Sequence, residues 1–118
     1  MARSDFNWIG IGHNFTVNSP SVSRNFPIEG SQNPTDDAYL LVQVRGVGIS
    51  THSIRINDTE LGGFDLAPAP RSSQAWLLWM DHIPSGVLRA GTNEITITRQ
   101  GNDDFEINGV VVNWREPG

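Results

Sequence analysis

The sequence predicts an all-β fold, an antiparallel β-sandwich of the jelly-roll type with two sheets. Short segments in which apolar and polar residues alternate recur along the chain, and clusters of Gly, Pro, Asn and Asp separate them. A helical spacing of apolar residues is not sustained over any useful length. At 118 residues the chain has room for one core, so residues 1–118 are expected to form a single domain.

The N-terminal third has the least regular pattern. Phe6 and Trp8 alternate with polar residues, and so do Phe15 and Val17, which predicts two short strands. Residues 19–25 are mostly polar and predict a loop.

Two segments in the middle of the chain predict strands of different burial. Residues 38–45 have an apolar side chain at every even position, which predicts a strand near the centre of a sheet. Residues 53–57 alternate with Ile54 and Ile56 pointing inward, which predicts a half-buried strand. Asn57-Asp58 is then expected to form a turn.

Residues 75–83 are apolar on both faces, between a loop with two prolines and Pro84. This pattern predicts a strand that is covered on both sides or that presents aromatic side chains to a partner. Trp76 and Trp79 must point to opposite faces of it. Since Trp76 has the parity of Leu78 and Met80, Trp79 is expected to be the exposed indole, with Asp81 on its face.

The C-terminal part predicts two more strands. Residues 93–100 alternate, with Ile95 and Ile97 inward. In residues 105–114 the apolar parity changes at Asn108-Gly109, which indicates either a hairpin or a bulge in a continuous strand. The short arm before the change favours the bulge, and Trp114 is expected in the core.

Charge and composition narrow the classes of partner. The net charge of −5, with eight scattered basic residues that are all Arg, opposes binding to nucleic acid or to an anionic membrane surface. Cysteine is absent from the sequence, which excludes disulfides and thiolate sites. The apolar stretches are too short for a signal peptide or a membrane span. We therefore expect no membrane insertion, and a chain that is cytoplasmic or released by a non-classical route.

The candidate catalytic and metal-binding residues form few patterns. His13, His52 and His82 lack metal-ligand spacing and are expected at the surface or rim. Asp81 and His82 are neighbours in a strand and so point to opposite faces, which excludes them as a dyad. Since no nucleophile, base and orienting group can be assembled from the sequence, we expect a protein without enzymatic activity.

Two pairs of carboxylates are candidates for a calcium site. Asp36-Asp37 and Asp103-Asp104 are predicted to lie in turns, where they could supply oxygen ligands to calcium. The alternative is that both are solvated turns. No other cofactor is indicated.

Five segments together resemble the galactose-binding-domain-like jelly rolls, the superfamily that includes carbohydrate-binding modules and discoidin-type domains. They are the strand 38–44, the strand and turn 54–58 followed by Leu61-Gly62, the segment 83–88, the turn and strand 90–97, and the closing strand 105–114. In such folds the Asn of the fourth segment, here Asn93, is expected to bridge the turn before the strand. The resemblance implies a domain that binds a glycan without catalysis, or a structural module, and many relatives carry a structural calcium.

These observations lead us to expect a non-catalytic, lectin-like module whose partner is a glycan. An exposed indole would stack on the sugar while polar side chains bind its hydroxyls. The candidate ligand-binding residues are Trp79, Asp81, Trp76, His82 and Arg71. Since the affinity of a single site would be weak, useful binding would require several copies, either in a homo-oligomer or linked in tandem. The alternative is an assembly module in which residues 76–83 form a subunit interface and no small ligand exists.

Overall fold

The computed structural model is an antiparallel β-sandwich, as the sequence predicts, and it describes residues 3–28, 35–47, 52–61, 75–101 and 103–116. Sheet A has the strand order β1-β8-β3-β6, and sheet B has the order β2-β7-β4-β5. None of the described residues forms a helix that could cross a membrane. The strands are β1 (Arg3–Phe15), β2 (Ser21–Ile28), β3 (Thr35–Arg45), β4 (Ser53–Ile56), β5 (Thr59–Glu60), β6 (Leu77–Ile83), β7 (Gly91–Thr98) and β8 (Phe105–Glu116).

The core lies between the two sheets and is built from the alternating positions that the sequence marks as apolar. The even residues of β3 are buried, and so are Ile54 and Ile56 of β4 and Ile95 and Ile97 of β7. Phe15 and Phe105 stack with 4.5 Å between their ring centroids. Burial of these side chains is the main favourable term in the stability of the domain.

The N-terminal third differs from the prediction. Phe6, Trp8 and Phe15 belong to one long strand, β1, whose register against β8 shifts between Gly10 and His13. Phe6 and Trp8 point outward whereas Phe15 points inward, and this difference in parity suggested two short strands. The predicted loop at residues 19–25 is also wrong, because most of it lies in β2. The outward face of β2 is polar, which gave the segment a loop-like composition.

The closing strand contains the predicted bulge. β8 is continuous, and its register against β3 passes from Gln43↔Gly109 to Val44↔Ile107, so Asn108 is the extra residue. The bulge lets residues on both sides of it face the core, including Trp114. The core position of Trp114 is therefore confirmed.

Asn93 and Asn57 join two turns of sheet B, as the resemblance implied for Asn93. Asn93 is fully buried; its Oδ1 accepts from the amide of Arg89 at 3.0 Å, and its Nδ2 donates to the Arg89 carbonyl at 2.8 Å. Nδ2 of Asn57 donates to the same Oδ1 at 2.7 Å. Asn57 and Asp58 have φ values of 48° and 70°, which form the predicted tight turn between β4 and β5.

Candidate functional site

The outer face of sheet A is the most unusual surface among the described residues, because large apolar side chains point from it into solvent. Phe6 and Trp8 of β1 are 66% and 50% exposed, and Leu78 and Met80 of β6 are 64% and 65% exposed. Tyr39 of β3 is also exposed. A monomeric protein seldom leaves so many large apolar side chains together in water, so this face is a candidate contact surface.

The strand registers align these side chains in rows that cross all four strands. The central row begins with a tryptophan and ends with a methionine, and two aliphatic residues lie between them: Trp8, Val111, Leu41 and Met80. The row on one side contains three ring-bearing side chains: Phe6, Asn113, Tyr39 and His82. The row on the other side contains two glycines, one amide side chain and one leucine: Gly10, Gly109, Gln43 and Leu78.

Trp8 lies directly on a glycine of the neighbouring strand. A Cβ atom added to Gly109 would overlap Cη2 and Cζ2 of the Trp8 indole, whereas a Cβ added to Gly10 would meet nothing within 4 Å. Gly109 therefore gives the ring room to lie low over β8. With half of its surface exposed, the indole forms an aromatic platform on this face.

One corner of the outer face, at the end of β3 and the starts of β6 and β8, is polar, and its side chains bond to one another. Arg45 donates through Nε to Glu106 Oε1 at 2.7 Å, and its guanidinium carbon lies 4.3 Å from the ring centroid of Trp76. Beside them, Nδ2 of Asn108 donates to Oε1 of Gln43 at 2.7 Å. Indole, guanidinium, carboxylate and amide groups thus lie together within one corner.

The outer face of sheet B has a different character. It carries hydroxyl side chains that bond across strands, Ser21 to Thr98 at 3.2 Å and Ser23 to Thr96 at 2.9 Å. Only the outer face of sheet A combines exposed aromatic rings with planar polar groups among the described residues. The two faces therefore differ in chemistry, and the outer face of sheet A provides the candidate site.

The exposed face of β6 is the opposite of the predicted one. Trp79 packs against the core, while Leu78 and Met80 point outward. The reason is the register with β3, which places Trp79 beside the buried Val42. Both faces of β6 are apolar in sequence, so parity alone could not decide between them. The prediction that Trp79 is the exposed indole is therefore wrong.

The five predicted ligand-binding residues do not come together. His82 lies on the outer side of β6, and Trp76, which precedes β6, contacts Arg45 on the same side. Trp79 and Asp81 lie on the inner side. Nε1 of Trp79 and Oδ2 of Asp81 are buried and have no hydrogen-bond partner among the described residues. The other oxygen of Asp81 accepts from the amide of His82 at 2.8 Å. Arg71 falls outside the described residues.

Two expected surface groups form a buried pair instead. Nε2 of His52 lies 2.7 Å from Oδ2 of Asp103, and both side chains are buried. Nδ1 of His52 accepts from the amide of Gln100 at 3.0 Å, so Nε2 carries the proton and donates to Asp103. The predictions of a rim position for His52 and a solvated turn for Asp103 are wrong. The 51 positions that separate the two residues explain why no local motif revealed the pair.

The remaining carboxylates do not form a cluster. Asp36 and Asp37 lie in β3 rather than in a turn, which corrects that prediction, and their side chains fall outside the description. Asp104 pairs with Arg99 at 2.8 Å. Among the described residues, no three His, Cys, Asp or Glu side chains are arranged to hold a metal ion. The calcium site remains a prediction.

Sequence reasoning missed most of the outer-face residues. Trp8 has the opposite parity to Ile9 and Ile11, which are buried, and this signal could have marked it as exposed. The contribution of Gly109 depends on strand pairing and had no local signal. The same holds for the Arg45–Glu106 pair, which joins two strands far apart in sequence.

Solved structures share the fold at low sequence identity. A family 35 carbohydrate-binding module from an environmental isolate is 19% identical, with a TM-score of 0.56, over 90% of this chain and 83% of that one. The CBM36-1 domain of a multidomain xylanase from the hindgut metagenome of Trinervitermes trinervoides is 13% identical, with a TM-score of 0.54, over 92% of this chain and 96% of that one.

A third similar structure is the dimeric latent PorU from Porphyromonas gingivalis. It is 12% identical with a TM-score of 0.63, and it matches 98% of this chain but only 13% of its own length. No curated protein matches the sequence. At these identities the likeness establishes the fold alone, a two-sheet antiparallel β-sandwich of the jelly-roll type. Residues 6–116 match the family of unknown function DUF7383, and the chain belongs to that family.

Proposed function

We propose that the protein is a non-catalytic carbohydrate-binding domain that holds its ligand on the outer face of sheet A. The observation that carries this proposal is the half-exposed indole of Trp8, which lies over Gly109. An exposed aromatic ring stacks favourably on the C–H face of a sugar ring. The fold that the chain shares with carbohydrate-binding modules supports the same ligand class.

The polar groups around the platform suit sugar hydroxyls. The Asn108 and Gln43 side chains can each donate and accept, and Arg45 and Glu106 add a donor fork and a carboxylate. Because Arg45 and Glu106 neutralise each other, this corner favours a neutral sugar over an acidic one. The chain's net charge of −5 points in the same direction.

The buried His52–Asp103 pair supports a binding rather than a catalytic function. Such a pair could orient a general base, but here both ring nitrogens of His52 already bond to protein atoms. The imidazole therefore has no nitrogen with which to take a proton from a substrate. Its contact with Phe105, with 4.1 Å between ring centroids, indicates a structural role.

Self-association is a second candidate, favoured by the exposed aliphatic side chains of Leu78 and Met80. The three rows across four strands cover only about 14 by 14 Å, roughly 200 Å². A stable protein interface usually buries about 800 Å² on each partner. The apolar area alone is too small for a stable dimer but matches the size of an oligosaccharide.

The test is a glycan array probed with biotinylated protein on streptavidin, which raises a weak affinity through multivalency. We expect binding to a related set of neutral glycans, and loss of that binding in Trp8→Ala. Val17→Ala is the control, because Val17 is an exposed apolar residue away from sheet A's outer face. Parallel arrays with calcium and with chelator test the calcium prediction.

A blank array with folded wild-type protein would contradict the carbohydrate proposal. Sedimentation of the same sample would then test the second candidate. A concentration-dependent dimer that Met80→Ser dissociates would establish self-association, and a monomer at all concentrations would exclude both functions for this face.

A further inference from the structure

The outer face of sheet A carries two indoles at opposite corners. Trp8 lies on β1 in the row that contains Leu41, and Trp76 contacts Arg45, which is four residues further along β3. The two edge strands are three strand spacings apart, and the rows differ by four residues. By strand geometry the Cα atoms of the two tryptophans are therefore about 20 Å apart along a diagonal of the face, and the indole of Trp8 reaches inward along this diagonal over Gly109.

The surface between the two indoles differs from the rest of the face. The diagonal crosses Gly109, which lies beneath the indole of Trp8, and then Gln43 and Arg45. Asn108 bonds to Gln43, and Glu106 bonds to Arg45, so the polar groups are fixed in place. Apart from their mutual bond, the side-chain amides of Gln43 and Asn108 make no hydrogen bond to the described residues, and they keep donors and acceptors for a ligand.

We propose that the ligand is an extended, neutral oligosaccharide of up to about four pyranose rings that lies along the diagonal from Trp8 to Trp76. The two indoles contact the sugars at its ends. Gln43, Asn108, Arg45 and Glu106 bind the hydroxyls of the sugars between them. This inference rests on the proposed function and adds the length, direction and neutral charge of the ligand.

The test measures binding of linear oligosaccharides of two to six residues, from the glycan type that the array selects, by titration calorimetry. We expect the affinity to rise with chain length up to about four residues and then to level off. Trp76→Ala should weaken binding of the hexasaccharide about tenfold but leave the disaccharide within about twofold. Trp8→Ala should weaken both, and Val17→Ala should change neither.

Gln43→Ala provides a second variant if Trp76→Ala does not fold. It should also weaken the hexasaccharide more than the disaccharide, because Gln43 lies in the middle of the diagonal. Circular dichroism and urea unfolding of each variant verify that the fold is intact.

Equal affinity for the disaccharide and the hexasaccharide would overturn the inference. It would also be overturned if Trp76→Ala and Gln43→Ala weakened binding of all oligosaccharide lengths equally, or of none. Stronger binding of an acidic than of a neutral oligosaccharide of equal length would also overturn it. If Trp8→Ala still weakened oligosaccharide binding in those cases, the carbohydrate proposal would remain valid. Absence of binding to any oligosaccharide would instead contradict the proposed function itself.

Discussion

At the residue scale, Asn93 shows how one buried side chain can fix two turns. Its Oδ1 accepts from the Arg89 amide and from Asn57 Nδ2, and its Nδ2 donates to the carbonyls of Arg89 and Gly91. Asn57 in turn accepts through Oδ1 from the Glu94 amide at 2.9 Å. The two asparagines therefore hold the β4–β5 turn against the start of β7.

Replacing Asn93 by Ala should destabilise the domain. The change leaves buried donors and acceptors without partners, which costs about 2–4 kcal/mol in the free energy of unfolding. Asn25→Ala is the matched control, because Asn25 is exposed on β2 and its loss should change that free energy by less than about 0.5 kcal/mol. Urea unfolding followed by tryptophan fluorescence measures both. Equal stability of the two variants would refute the bridging role.

The His52–Asp103 pair marks the limit of sequence reasoning at this scale. A polar residue in a turn-like context is usually exposed, and only the tertiary fold brings His52 next to Asp103. The turn-bridging role of Asn93 could be predicted because its bonds to Arg89 and Gly91 span four positions or fewer, whereas its bond to Asn57, 36 positions away, had no local signal. The role of His52 could not be predicted, since its partners lie 48 and 51 positions away.

At the element scale, the paired bulges of β1 and β8 shape the candidate site. Gly10 and Gly109 face each other across the two strands, but the indole of Trp8 covers only Gly109. The sequence predicted the bulge at Asn108-Gly109 from a parity change. It could not show which side chain uses the space that the glycine leaves, because this depends on the pairing of β1 with β8.

This pair of glycines offers a direct comparison. Gly109→Ala should displace the indole of Trp8 and weaken glycan binding about tenfold. Gly10→Ala should leave binding unchanged, because its Cβ meets no atom within 4 Å. Calorimetry with the preferred oligosaccharide measures the affinities, and the tryptophan emission spectrum reports the indole's position. Equal effects of the two substitutions would contradict the positioning role of Gly109.

Strand β6 shows why the sequence alone could not decide which tryptophan faces outward. Its sequence is apolar on both faces, so either Trp76 or Trp79 could have faced outward. The alternation of β3 is unambiguous, and its pairing of Val42 with Trp79 places Trp79 on the core side. Register is set by the partner strand and is not encoded in β6 alone.

At the scale of the whole molecule, the two outer faces of the sandwich carry different kinds of side chain. Sheet B presents Ser and Thr side chains that bond to one another, and sheet A presents aromatic, aliphatic and amide groups. The fold class, the two-sheet architecture and the inward positions of β3, β4, β7 and β8 follow from local alternation. The composition of the outer face of sheet A depends on four strands that are distant in sequence, so it emerges only from the topology.

The most direct test of the central claim is to follow the four indole N–H resonances of ¹⁵N-labelled protein while a glycan selected on the array is added. Binding to the outer face of sheet A should shift the signals of Trp8 and Trp76 and leave those of the buried Trp114 and the core-packed Trp79 unchanged. A shift of Trp79 with Trp8 and Trp76 unmoved would place the ligand on the inner side of β6. That result, or binding that moves none of the four signals, would contradict ligand binding on the outer face of sheet A.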